Sequence, residues 1–102
     1  MGMFDWYIPR PDLPCPGCGN TLREWQGTDG PSALFVWQQG TSSPLDQRAD
    51  EDAKLPPDRL AQWRLPKRFV IYSYCNCGRR TEAEGKCDGE TWSNTRVTVS
   101  AG

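Results

Sequence analysis

The chain has 102 residues, a mass of 11.5 kDa, 36% apolar residues and a formal charge of −1, which is enough for one small core and one domain spanning 1–102. Its ten glycines and nine prolines are spread along the sequence, which points to a loop-rich fold and excludes collagen-like or long coiled-coil structure. No stretch approaches the ~20 apolar residues of a membrane helix, and Met1-Gly2-Met3-Phe4-Asp5 lacks the basic and apolar regions of a secretion signal, so a cytoplasmic chain is expected.

In chain order, Phe4, Trp6 and Ile8 alternate with Asp5 and Tyr7, as in a short strand or extended arm. Prolines 9, 11 and 14 keep the next segment extended. Then comes Cys15-Pro16-Gly17-Cys18-Gly19, where Pro16 presets a turn and Gly19 can take a positive φ. Residues 21–26 and 33–39 read as strands around the turn signal Gly27-Thr28-Asp29-Gly30-Pro31. Leu34-Phe35-Val36-Trp37 is apolar on both faces and is expected to be central and buried.

Residues 40–57 are polar, proline-containing and charged, and predict a long surface loop. Residues 56–64 predict a short helix that starts on proline and is stopped by Pro66. Residues 68–74, Arg-Phe-Val-Ile-Tyr-Ser-Tyr, are the clearest strand, with Phe69, Ile71, Ser73 and Cys75 on one face. Residues 79–86 return as its partner, Asp88-Gly89 turns, and residues 91–99 close with Thr95, Val97 and Val99 inward. The fold class expected is mostly β: a small antiparallel sheet with one short helix and a clip made by four cysteines.

The five cysteines carry the chemistry. An odd number in a chain without a secretion signal argues against a disulfide framework. Cys15 and Cys18 form one close pair, and Cys75 and Cys77 of Cys75-Asn76-Cys77-Gly78 form a second. Two thiolates on one metal need their sulfurs within about 4 Å. C-x-x-C reaches this through its turn, and C-x-C through the period of a strand, which points residues i and i+2 to one side. Four cysteines complete a tetrahedral shell and leave no open position for water, so a structural metal is expected. The usual second pair would begin at Tyr74, so Cys75 is displaced by one, and Cys87 stays open as an alternative fourth ligand.

These residues resemble the zinc-ribbon and rubredoxin-like group of metal knuckles, over 13–20 and 74–79 well and over the flanking hairpins loosely. Rubredoxins use a similar C-P-x-C-G knuckle for iron but carry C-x-x-C twice, and Cys75-Asn76-Cys77 departs from that, which favours zinc. The opening Met1-Gly2-Met3-Phe4-Asp5 is similar to that of small bacterial and phage proteins, a group that supplies no activity. C-P-x-C is also similar to a glutaredoxin active site, but that chemistry needs a strand before the motif and a helix after it, where this chain has prolines and glycines.

Charge is segregated along the chain. Residues 1–58 carry nine acids against four bases; residues 59–80 carry Arg59, Arg64, Lys67, Arg68, Arg79 and Arg80 with no acid; residues 81–102 carry four acids against two bases. Basic residues interleaved with Trp63, Phe69, Tyr72 and Tyr74 suit nucleic acid, but overall acidity opposes it, and Arg79 and Arg80 would balance thiolate charge. Five tryptophans exceed what so small a core needs, and Trp and Arg mark protein interfaces. The partner expected is another protein, met through Trp63, Arg64, Arg68, Arg79 and Arg80, with Trp63-Arg64 beside the acidic Asp50-Glu51-Asp52. With no histidine and no phosphate loop, no catalytic residues and no enzyme are expected.

Overall fold

The computed structural model describes residues 4–101, and the backbone alone for 99–101. Met1, Gly2 and Met3 of the opening, and the expected facing of Val99, lie outside the described residues. The strands are β1 (Asp5–Ile8), β2 (Trp25–Gly27), β3 (Phe35–Gln38), β4 (Asp46–Gln47), β5 (Arg68–Tyr74), β6 (Arg80–Asp88) and β7 (Thr91–Ala101), and the helix is α1 (Pro57–Leu60). The fold is mostly β with one short helix, as the sequence predicts. The strands form one sheet in the order β4-β3-β1-β2-β5-β6-β7.

One pairing departs from the expected antiparallel sheet: β1 and β3 run parallel. β2 turns back along one side of β1. The 28–34 connection then crosses the start of β1, so β3 leaves on the other side in β1's own direction. Asp5 holds this crossover. Its carboxylate is wholly buried and accepts from the backbone N–H of Ser32 (3.1 Å), Ala33 (2.9 Å) and Phe35 (3.1 Å) and from the Trp37 indole N–H (3.0 Å). Ser32 and Leu34 take positive φ values of 58° and 63°, which curves the backbone into a nest of donors around the charge. A buried carboxylate is tolerable only when satisfied in this way. The buried face of β1 is therefore Asp5 and Tyr7, not the apolar Phe4, Trp6 and Ile8.

The sheet curls. Beyond β3, Gly40 N–H donates to Trp92 O (2.7 Å), Trp92 N–H donates to Thr41 O (3.2 Å), and Gln39 bonds Ser93 and Thr95, so the start of β7 closes against the chain after β3. Inside lie Tyr7, Trp25, Phe35, Trp37, Phe69, Ile71, Ala83 and Trp92. Tyr7, Phe69 and Trp92 form a ring triplet with centroids 5.2–5.9 Å apart. The predicted inward face of β5 holds at Phe69, Ile71 and Ser73, and β3 is buried throughout Phe35–Trp37.

The predicted 21–26 strand shrinks to Trp25–Gly27 because Glu24 takes φ 56° and breaks the ladder. The helix is shorter too: four residues, none buried, without a side-chain cap. The 40–57 loop contains β4, whose buried Gln47 ties the loop down by bonding Ala33 O and Leu55 N–H. Among the described residues, no helix is long and apolar enough to cross a membrane.

Candidate metal centre

The first cysteine pair sits at the tip of a tight hairpin. Leu22 N–H donates to Leu13 O (2.9 Å) and Cys15 N–H to Asn20 O (2.7 Å), while Gly19, at φ 81°, turns its N–H onto Cys15 O (2.8 Å). No helix follows Cys18, so the setting that a glutaredoxin-like thiol requires is missing.

The second pair is built on the same plan, one residue shorter. Cys75 N–H donates to Arg79 O (2.9 Å), and Gly78, at φ 92°, donates to Cys75 O (2.9 Å). The glycine therefore lies three residues after the first cysteine, where the other knuckle has four, and this absorbs the missing residue of C-x-C. β5 ends at Tyr74, so Cys75 and Cys77 are brought to one side by a turn and not, as the sequence reading held, by strand period.

The knuckles face each other. Cys15 Sγ lies 3.7 Å from Cys77 Sγ, and Cys18 Sγ lies 3.4 Å from Cys75 Sγ. All four sulfurs are within 4.8 Å of one another. A tetrahedral zinc with ~2.3 Å bonds would hold its sulfurs about 3.8 Å apart, so this donor set fits a tetrahedral thiolate-binding ion. Cys87 lies elsewhere: it is on β6, 4% exposed, with Sγ 3.5 Å from Pro66 O.

The thiols perturb one another strongly. Cys15 is lowered to about 6 by the Cys18 and Gly17 N–H groups and by the neighbouring sulfurs, against the effect of burial. At Cys75 the Cys77 N–H also favours the thiolate, but the Cys18 sulfur, burial and the other two sulfurs outweigh it and push the thiol up to about 12. Without a cation, four thiolates cannot share this space; a divalent ion removes the conflict. Cys87 is raised by burial alone.

Arg79 lies across the first knuckle, so close to Gly17 that a Cβ there would meet its side chain. Arg80 turns away to the outer face, 4.9 Å over the Tyr72 ring and 6.0 Å over Tyr74, and pairs with Glu82 at 3.3 Å. The other expected partner residues are not gathered with these. Arg68 pairs across the ladder with Lys86 at the far end of β5, about 20 Å away at strand spacing. Trp63 packs on Phe35 at 5.6 Å, and Arg64 bonds Glu90 at 3.1 Å, not the acidic 50–52 loop.

Beside the knuckles a cleft of about 570 Å³ opens between 20–24 and 74–76. Val70 N–H donates towards the β2 side, to Asp29, so Tyr74, on the same strand parity, turns its peptide groups into the gap left by the kink at Glu24. The sequence reading missed this cleft, since nothing in Arg23-Glu24 announces a positive φ. Compared with models of protein families, with curated proteins and with solved structures, the chain matches none.

Proposed function

We propose that the chain is a small cytoplasmic β module clipped by one structural zinc ion on Cys15, Cys18, Cys75 and Cys77, and that it acts by binding another protein. The observation that carries the metal reading is the convergence of four sulfurs, from segments 57 residues or more apart, within 4.8 Å. Four protein thiolates fill a tetrahedral shell, which is the structural rather than the catalytic arrangement. Soft thiolates suit zinc and iron alike; zinc is preferred because the second knuckle departs from the iron-binding pattern. Elemental analysis of purified protein should give one zinc per chain. A metal-free, reduced and fully folded protein overturns the reading, and iron in place of zinc corrects the ion.

For the partner, Tyr74 is 66% exposed and Trp63 42%, large rings of the kind that anchor protein contacts. The cluster of Arg80 over Tyr72, with Tyr74 edge-on to it, favours a second reading, in which bases stack beside the knuckle. Against it, Arg80 is paired with Glu82 and the basic residues of 59–80 are dispersed. Fluorescence titration with mixed single-stranded oligonucleotides at low salt should show no binding; tight binding that weakens steeply with salt would reverse the preference.

A further inference from the structure

We propose that the four-cysteine centre is an oxidant-sensitive modification site, in which peroxide expels the metal and replaces it by two disulfides between the knuckles, Cys15–Cys77 and Cys18–Cys75. This rests on the zinc-clip reading. It stands on the sulfur pairing: the two hydrogen-bonded sulfur pairs, at 3.7 and 3.4 Å, both run between knuckles, and neither joins Cys15 to Cys18 or Cys75 to Cys77. Each pair also joins a shielded sulfur to an accessible one. Cys18 and Cys77 are exposed, Cys15 is buried and Cys75 half-buried. An oxidant reaches the accessible sulfur of each pair, and the shielded one is the neighbour poised to resolve it.

The chemistry balances with hydrogen peroxide as the oxidant. The Cys18 thiolate attacks one peroxide oxygen, so that an S–O bond forms, the O–O bond breaks, and hydroxide leaves. The Cys75 thiolate then attacks the sulfenic sulfur; the S–S bond forms, the S–O bond breaks, and a second hydroxide leaves. Each sulfur gives up one electron, and the peroxide takes two. Repeated at Cys77 and Cys15, this consumes two peroxides per chain and leaves the metal without ligands. An ion clip becomes a covalent one, because each disulfide still ties the 13–22 hairpin to the end of β5. A Cys15–Cys18 bridge would close only its own turn. Cys87, buried in β6, stays a thiol.

The test begins with the zinc content of the reduced holoprotein, which judges the zinc reading before any oxidant is added. Hydrogen peroxide is then titrated, with released zinc, free thiols and disulfide-linked peptides followed together. Trypsin places Cys15 and Cys18 in a peptide ending at Arg23, and Cys75 and Cys77 in residues 69–79, so inter-knuckle bridges link two peptides and intra-knuckle bridges do not. Fragment ions that break between the cysteines of each peptide assign the pairs. The expected result is one zinc released, four thiols lost with Cys87 retained, bridges 15–77 and 18–75, and a folded circular dichroism spectrum that chelation of the reduced protein does not preserve. Bridges 15–18 and 75–77, crossed bridges 15–75 and 18–77, sulfinate at Cys18 or Cys77, or zinc that stays bound would each overturn the proposal. If the starting protein holds no zinc, the zinc reading fails on its own, and the disulfide map still decides the pairing.

Discussion

Asp5 shows how one residue can set a topology. Four donors converge on its buried carboxylate: two backbone N–H groups of the crossover that makes β3 parallel to β1, the backbone N–H of Phe35 at the start of β3, and the Trp37 indole. Asp5→Ala would leave four buried donors without an acceptor; hydrogen bonds to a charge contribute about 1.5–3 kcal/mol each, and the losses overlap. We expect about 3–5 kcal/mol of destabilisation, the equivalent of about two such bonds once the overlap is allowed for, in urea unfolding; less than about 1 kcal/mol would mean that the nest forms without its anion. Tyr7 beside it behaves differently. Its hydroxyl is buried with no partner at full hydrogen-bond geometry, and burial, then the Asp5 charge, raise its pKa, against a smaller lowering by the Gly30 N–H. The unfolded chain therefore loses this proton first, near the ordinary ~10, and stability falls as pH rises beyond that. Tyr7→Phe should change stability at pH 7 by about 1 kcal/mol or less and flatten the loss between about pH 9 and 11 relative to wild type, read from thermal midpoints; equal slopes in both proteins would dismiss the phenol as the cause. None of this is legible in Phe-Asp-Trp-Tyr-Ile, whose alternation places the apolar residues on the face opposite to the one buried.

At the scale of elements, the knuckles were legible and their construction was not. Glycine after each second cysteine marked the turn, and the sequence named the four sulfurs that converge. It left Cys87 open because C-x-C appeared one residue short; the shorter hydrogen-bonded turn at Cys75–Gly78 supplies the reason. If the proposed zinc sits on these four sulfurs, Cys75→Ser should release it and unfold the domain. Cys87→Ser should keep one zinc per chain and lose packing alone, about 1–2 kcal/mol. Zinc retained by the first variant and lost by the second would move the ligand to β6. The strand pair β5–β6 was the most readable element, since its buried residues alternate without interruption. Its register adds something the pattern does not carry. Phe69 lies opposite Gly85, and its ring occupies the space where a Cβ at 85 would stand, a glycine covered by an aromatic across the ladder. Gly85→Ala gains backbone propensity, yet it must displace a ring that is itself packed on Tyr7 and Trp92. A net loss of about 1–3 kcal/mol follows from overpacking, and a stabilised Gly85→Ala protein would show that the ring moves freely.

For the whole molecule, the decisive feature is that the sheet is nearly closed on one side, while on the other the four cysteine sulfurs converge. Hydrogen bonds from 39–42 to the start of β7 close the curl. Across the sheet, β2 reaches β5 through a single register pair, Gln26 with Tyr72, and the ladder stops at Glu24. The hairpin at 13–22 is held there by Ser73 Oγ–H donating to Arg23 O at 2.6 Å, by Leu13, Cys15 and Leu22 packed into the core, and, on the proposed metal reading, by an ion joining the four sulfurs. This explains why strand identities could be read from the sequence while the gap at Glu24 and the parallel pair could not: strands follow from local pattern, but these two features depend on where the chain crosses itself. It also sets the weight that the proposed metal would carry. Structural zinc contributes on the order of 10 kcal/mol of apparent binding free energy, against a folding stability of about 5–15 kcal/mol for a domain as a whole. Chelation under reducing conditions should therefore abolish cooperative unfolding, or move its midpoint down by roughly 20 °C or more at about 4–8 °C per kcal/mol for a chain of this size. Amide exchange should quicken first at Cys15, Gly19, Leu22, Cys75 and Gly78, whose hydrogen bonds define the knuckles, and last within β5–β6. A chelated, reduced chain with an unchanged midpoint and slow exchange at those five amides would show that the sheet holds its hairpin without an ion.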